Sequence, residues 1–172
     1  MVGVPFKSRK KIPSIEETIN GHVYLFGGVD ETSSTSSRLY KLTLSENDEV
    51  TADKVEVMGG PEARHSHCAQ FIEPIFMAVY GGQSSEEVNG SHVRQGIFND
   101  VYLFNIEQGG WIQPTIHKKL DFRFGASSCA NKNFMYIFGG RELKGYADGD
   151  VLELEFDPVD ERKGSRRCNR RI

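Results

Sequence analysis

Three stretches of the chain share one pattern, a run of mostly apolar residues that ends in two glycines. Residues 22–28, 76–82 and 134–140 read HVYLFGG, FMAVYGG and FMYIFGG. Short runs of β-branched and aromatic residues predict strands that are buried on both faces. The glycine pairs predict a backbone conformation that larger residues resist. Because the pairs are 54 and 58 residues apart, they indicate an internal repeat.

Two further features recur in phase with the glycine pairs. A second strand is predicted after each pair, at residues 37–42, 99–104 and 149–154. Upstream, Arg64 precedes its glycine pair by 17 residues, and Arg123 precedes the next pair by 16. A β-sandwich with repeated glycine turns is the alternative fold, but the phased arginines disfavour it.

These residues resemble the kelch repeat, whose unit is a blade of four antiparallel strands with Gly-Gly after the second. In that family an aromatic residue on the third strand precedes a Trp on the fourth by about seven positions, the spacing of Phe104 and Trp111. The first copy has Leu42 and no Trp, and the third has Leu154 or Phe156 and no Trp. The resemblance implies an all-β fold of three four-stranded blades in a partial β-propeller, at residues 12–58, 59–115 and 116–158.

The two ends of the chain fit this scheme less well. The fourth strand of the first blade is expected at residues 54–58. The third blade is expected to lack its outer strand, because the tail at residues 159–172 is polar and basic. We interpret that tail as solvated and without regular structure; a phosphate-binding, acidic-protein-binding or nuclear-targeting segment is the alternative. In the N-terminal segment, residues 1–11, positions 2–6 suit an outer strand without a blade of its own.

Three blades are fewer than the four to eight of most propellers, and an open array leaves an apolar face bare at each end. One interpretation is a homodimer that completes a six-bladed ring, with residues 2–6 of one chain finishing the third blade of the other. The other interpretation is a fragment of a longer propeller. The sequence leaves both open.

Composition narrows the partners. Lys and Arg number 21 against 24 Asp and Glu, a formal charge of −3, which argues against nucleic acid and membrane surfaces as partners. No apolar run reaches membrane-spanning length, and no secretory signal is present at the N-terminus. Three cysteines without a Cys-x-x-Cys pair predict a reduced, intracellular protein, cytoplasmic with a nuclear location as the alternative.

No catalytic residue, metal or cofactor is predicted. His65 and His67 lie on one face if the backbone is extended, but a metal site needs further ligands at a fixed spacing. We therefore expect both histidines to pack at the inner edge of a blade. The motifs of the kelch enzymes that bind copper or iron are not found in this sequence.

The remaining candidates lie in the loops between second and third strands, at residues 29–37, 83–98 and 141–149. Loops on a rigid scaffold carry function more often than the scaffold does, and Arg grips carboxylates well. The predicted function is a protein-interaction scaffold for a protein or acidic peptide; the alternative is a piece of a larger kelch enzyme or sugar-binding propeller. For Arg64 and Arg123 a structural role, tying blades through backbone carbonyls, stays open. The predicted partner-binding residues are Arg64, Glu86, Glu87, His92, Arg94, Arg123, Arg141 and Tyr146.

Overall fold

The computed structural model describes residues 22–32, 34–45, 49–89, 91–147, 149–156 and 167–171, and every regular element in them is a β-strand. This part of the chain holds no helix long and apolar enough to cross a lipid bilayer. The strands form three larger sheets, here named blades 1 to 3 in chain order, and two separate hairpins. The all-β fold predicted from the sequence is confirmed.

Blade 1 contains strands β1 (His22–Phe26), β2 (Leu39–Leu44) and β3 (Val50–Val55), in that spatial order. The prediction of a strand at residues 54–58 is wrong, because β3 pairs with β2 directly after a short connection that places Val50 opposite Leu44. Met58 is instead almost fully exposed. Residues 12–21, the predicted start of this blade, lie outside the described residues, as does the N-terminal segment 1–11.

Blade 2 has the complete four-strand pattern, with β4 (Cys68–Ile72), β5 (Phe76–Tyr80), β8 (Val101–Asn105) and β9 (Gly110–Ile112) in that spatial order. Trp111 lies opposite Phe104 across the last two strands, as the kelch spacing implies. The strands between Gln83 and Ile97 form a separate hairpin where the sequence predicted a loop. The strands of this hairpin are β6 (Gln83–Val88) and β7 (Ser91–Ile97).

Blade 3 consists of β10 (Thr115–Ile116), β16 (Arg167–Arg171), β15 (Val151–Phe156), β12 (Phe134–Phe138) and β11 (Ser127–Asn131), in that spatial order. All its neighbouring strands are antiparallel except β10 and β16, which are parallel. A separate hairpin follows β12, as another follows β5 in blade 2. The strands of the hairpin are β13 (Arg141–Glu142) and β14 (Gly145–Tyr146).

Strand β16 corrects what the sequence predicted for the basic tail and for the edge of blade 3. Residues 167–171 were predicted to lack regular structure, yet they form a strand that pairs with β15 on one side and with β10 on the other. The pairing needs only main-chain groups along an open edge, so the segment does not require an apolar pattern. Because β16 fills this edge of β15, the edge is not open to residues 2–6 of a second chain, as one of the two interpretations required.

The blades stack face to face, with blade 2 in the middle. One cluster joins Tyr24, Phe26 and Leu39 of blade 1 to Met77 and Phe104 of blade 2. A larger cluster joins the opposite face of blade 2 to blade 3; its central members are Ile72, Phe76, Tyr80, Leu103, Met135, Ile137, Leu154 and Phe156. Every residue of β5 is buried, as predicted for a strand with a blade on each side.

The predicted burial of the other two second strands holds only on the faces that meet blade 2. Tyr24 and Phe26 of β1 are buried, as are Met135 and Ile137 of β12. Phe138, predicted to be buried, is exposed because it lies on the face of blade 3 that points away from blade 2.

Candidate functional site

Two β-hairpins and one linking residue form a continuous surface on one side of the stacked blades. We name it the hairpin surface; it consists of the β6–β7 hairpin and the β13–β14 hairpin, with the buried Phe124 between them. Phe124 forms an antiparallel bridge with Arg141, in which each backbone N–H donates to the other residue's carbonyl, at 3.0 and 2.8 Å. The second hairpin is thereby fixed to the segment that leads into β11.

The long β6–β7 hairpin is anchored to blade 1 through Ser85 and Thr35. The backbone N–H of Ser85 donates to the Thr35 hydroxyl at 2.8 Å, and that hydroxyl donates to the Ser85 carbonyl at 2.6 Å. A backbone hydrogen bond from Thr35 N–H to the same carbonyl, at 3.3 Å, completes the contact. A hairpin held in this way presents its side chains from a fixed position.

Arg94 and Arg141 each lie against an aromatic ring on this surface. The guanidinium of Arg94 lies 4.9 Å from the ring centre of Phe124, and that of Arg141 lies 4.6 Å from the ring centre of Tyr146. Arg141 Nη2 also donates to Tyr146 Oη at 2.7 Å. Stacking on an aromatic ring orients a guanidinium and leaves its N–H groups pointing outward in a plane. The structure thus brings together Arg94, Arg141 and Tyr146, which the sequence predicted as partner-binding residues.

Exposed apolar side chains accompany these cations on the two hairpins. Tyr146 is 74% exposed, and Leu143 and Val93 are exposed on the same two hairpins. Exposed apolar groups beside oriented arginines are typical of protein-binding surfaces, in which aromatic residues and Arg are enriched.

Arg64, also predicted to bind a partner, is fully buried and serves the blade instead. Its guanidinium donates to both carboxylate oxygens of Asp100 and, through Nη1, to the carbonyl of Gly81 at 3.0 Å. It also lies 4.0 Å from the ring centre of Phe98. Of the two roles that the sequence left open for Arg64, the structure supports the structural one, because a fully buried guanidinium cannot reach a partner on the surface.

Arg123 occupies the same place in the next repeat but has fewer partners. Its side chain is 5% exposed, and Nη2 donates to Glu142 Oε1 at 2.7 Å. Within the described residues, Arg123 Nε and Nη1 have no hydrogen-bond partner. Asp150 stands where blade 2 has Asp100, but it is exposed and Arg123 pairs with Glu142 of the β13–β14 hairpin instead. Arg123 therefore supports the hairpin surface from below.

The remaining predicted residues lie along the β6–β7 hairpin. Glu86 is exposed, and its Oε2 accepts a hydrogen bond from Gln95 Nε2 at 3.3 Å. Glu87 and His92 occupy paired positions next to it.

The pKa values of the two histidines beneath the hairpin surface are both lowered. Burial, with the positive charge of Arg64 and then the neighbouring His65, lowers the pKa of His67 to about 3. Burial and the charge of Arg94 also lower the pKa of His65. His65 Nδ1 lies 3.0 Å from Ser66 Oγ, and its Nε2 lies 3.3 Å from Ser85 Oγ. Among the described residues no group of three or more metal-ligating side chains is found.

Comparison with known proteins places this architecture in a family. The model of the KLHDC2/KLHL20/DRC7 Kelch-repeats domain matches residues 3–160. The chain belongs to the kelch-repeat family. It is 30% identical over 145 residues to human Kelch domain-containing protein 1, a match that covers 73% of this chain and 35% of the relative. The chain thus spans about a third of the length of that relative.

More distant similarities confirm the kelch-type fold. The flagellar outer-arm dynein alpha chain of Chlamydomonas reinhardtii is 27% identical over 144 residues, which is 77% of this chain and 3% of that protein. The solved structure of YjhT superposes on this chain with a TM-score of 0.68 at 15% identity. The match covers 91% of this chain and 44% of the YjhT chain. A chain in a cryo-EM structure of RAG with melted and unmelted RSS gives a TM-score of 0.69 at 22% identity and covers 94% and 51%.

Sequence reasoning missed three residues that build this region. Asp100 carried a usable signal, because an Asp precedes the third strand again at position 150. Glu142 and Phe124 carried none, since their roles depend on how the hairpins fold over the blades.

Proposed function

We propose that this kelch-repeat chain is a non-catalytic scaffold whose hairpin surface binds an acidic segment of a partner protein. The observation that supports this is the row formed by Arg94, Phe124, Arg141 and Tyr146, in which two exposed guanidiniums lie against rings linked through the Phe124–Arg141 bridge. Kelch repeats generally mediate protein interactions, which agrees with this proposal.

Electrostatics favours a carboxylate over other ligands. A guanidinium presents parallel N–H groups that match the two oxygens of a carboxylate, and such charge-assisted hydrogen bonds are about twice as strong as neutral ones. The nearby carboxylates of Glu86 and Glu142 already accept hydrogen bonds from Gln95 and Arg123. Arg94 and Arg141 are thus the ring-stacked cations that a partner can meet at the surface.

A protein partner fits the surface better than a nucleic acid does. Nucleic-acid sites are dominated by phosphate contacts and need a concentration of positive charge, whereas this chain has a formal charge of −3. The exposed Leu143 and Tyr146 instead supply apolar area beside the cations. We therefore propose a segment that carries both acidic and apolar side chains.

Fluorescence polarisation with synthetic peptides tests the proposal. The probes are a set of ten-residue labelled peptides that each carry three Asp or Glu and two Leu or Phe, with a matched set in which Asn and Gln replace the acids. We expect micromolar binding of members of the acidic set, at least about tenfold weaker binding of their amide counterparts, and a similar loss for Arg94→Ala and Arg141→Ala.

Lys144→Ala is the matched control, because it removes an exposed positive charge from the β13–β14 hairpin itself. It should weaken binding far less than Arg141→Ala does. An equal loss at Lys144 would show only a net-charge effect, and no binding of any acidic peptide would contradict the proposal.

A further inference from the structure

We propose that the outward face of blade 3 docks onto the outward face of blade 1 in a second copy of the chain, so that two chains close a six-bladed ring. For each blade we call the face toward the preceding blade its leading face and the face toward the following blade its trailing face. The proposal concerns the trailing face of blade 3 and the leading face of blade 1, and it is independent of the hairpin surface.

The trailing face of blade 3 has the residues of a buried junction. In every blade, one strand ends just before Gly-Gly: β1, β5 or β12. Its last residue pairs with the first residue of the neighbouring strand β2, β8 or β15, which is apolar. In blades 1 and 2 these pairs, Phe26–Leu39 and Tyr80–Val101, are buried. In blade 3 the equivalent Phe138 and Val151 are 55% and 49% exposed. An aromatic residue and a β-branched one thus stand at core positions with no blade against them.

The leading face of blade 1 shows the same relation. Blade 2 presents Met77 and Phe104 to blade 1, and both are buried. Their equivalents by register in blade 1 are Val23 and Leu42, which are only half-buried.

The edge of that leading face gives a second comparison. Ile106, two residues after Phe104, packs against the cluster that joins blades 1 and 2. Leu44, two residues after Leu42, is 59% exposed. Clustered apolar groups of this kind on a surface mark an interface.

The two faces complement each other as they do inside the chain. Both internal junctions join a trailing face to a leading face, and both exclude water with the same classes of residue. A junction of blade 3 with blade 1 of another copy repeats this arrangement. Such head-to-tail contacts close into a ring when the rotation per subunit allows it.

The size of similar propellers agrees with two copies. This chain covers 44% of the YjhT chain and 51% of the RAG chain, both at a TM-score near 0.7. Two chains of three blades therefore match the extent of these folds, and strands β16 and β10 already cover the edge of β15 in blade 3, so no strand has to be exchanged.

Sedimentation velocity of the purified 19.3 kDa chain, over a range of concentrations, tests the ring. We expect a dimer. Phe138→Asp on blade 3 and Leu44→Asp on blade 1 should each raise the dissociation constant at least about 100-fold, because a carboxylate would have to be buried without a partner. Val151→Asp repeats the test at the paired position if Phe138→Asp folds poorly.

A mixture of the two variants separates head-to-tail docking from other dimers. A heterodimer of Phe138→Asp with Leu44→Asp keeps one junction free of substitutions, so mixing the two should restore dimers that neither forms alone. Gln108→Asp, at an exposed residue in the turn between β8 and β9 of the middle blade, is the matched control and should leave the dimer intact. A monomeric wild-type chain, open-ended oligomers, or a dimer that both variants leave unchanged would overturn the proposal.

Discussion

Arg64 is bound by both carboxylate oxygens of Asp100, 36 residues further along the chain. Arg64 stands before strand β4, Asp100 stands before β8, and the Gly81 carbonyl that also accepts from Arg64 follows β5. One buried guanidinium thus fastens the same end of three neighbouring strands. The β6–β7 hairpin of the proposed binding surface starts from this end of the blade.

Removal of Asp100 should therefore destabilise blade 2. Asp100→Ala leaves the fully buried Arg64 without its counter-ion, and we expect the free energy of unfolding to fall by about 3 kcal/mol, since breaking a buried pair typically costs about 3–5 kcal/mol. Urea denaturation measures the change. The exposed pair Lys54–Glu56 is the control, and Glu56→Ala should cost less than about 1 kcal/mol. Equal effects at the two sites would contradict this role of Asp100.

Gly81 should tolerate no side chain, for two reasons that can be separated. Its φ of +67° is strained for other residues, and a Cβ would collide with the backbone carbonyl oxygen of Arg123 in the next blade. Gly109 has a nearly equal φ of +70° but open space around it. We expect Gly109→Ala to cost about 1–2 kcal/mol and Gly81→Ala at least about 3 kcal/mol, both read from thermal denaturation. Similar costs would mean that the blades can move apart at Gly81.

Trp111 should be a main support of the junction between blades 1 and 2. Its ring centre lies 5.1 Å from that of Phe26 in blade 1 and 5.2 Å from that of Phe104. Truncation of a core aromatic residue costs about 3–5 kcal/mol, and because Trp111 is only half-buried we expect Trp111→Ala to cost about 3 kcal/mol. Tyr146→Ala, on the hairpin surface, should change the melting temperature little. The reverse order of stabilities would contradict both assignments.

The sequence predicted those parts of the fold whose signal lies within the segment itself. Strands β5 and β12 are apolar runs bounded by Gly-Gly, and Trp111 has the family spacing from Phe104. Strand β16 could not be predicted in this way, because its residues carry no apolar alternation and its pairing depends on the open edge of β15. The start of β3 depends likewise on its register with β2.

The candidate site was predictable in composition but not in arrangement. Arg94, Arg141 and Tyr146 were found as polar or aromatic residues in loops between strands. That Arg94 lies over Phe124 follows only from the way the β6–β7 hairpin crosses to blade 3. Arg64 and Arg123 precede their glycine pairs by nearly the same spacing, 17 and 16 residues, yet their acidic partners come from different elements, a strand start for Arg64 and a hairpin for Arg123.

His67 should make the chain less stable in acid. It lies against the ring of Phe26, 5.6 Å between ring centres, where burial and the charge of Arg64 lower its pKa to about 3. In the unfolded chain a histidine has a pKa of about 6.5, so between these values the unfolded state binds the additional proton. The free energy of unfolding therefore falls as the pH drops from about 6.5 toward 3, by up to about 1.4 kcal/mol per pH unit from this residue. His65, whose pKa burial and Arg94 also lower, acts in the same direction. Urea denaturation of wild type and His67→Gln between pH 7 and 4 tests this: the difference in stability between the two should shrink as the pH falls. A constant difference for His67→Gln would contradict the lowered pKa, because it would show that the imidazole binds its proton equally well in the folded and unfolded states.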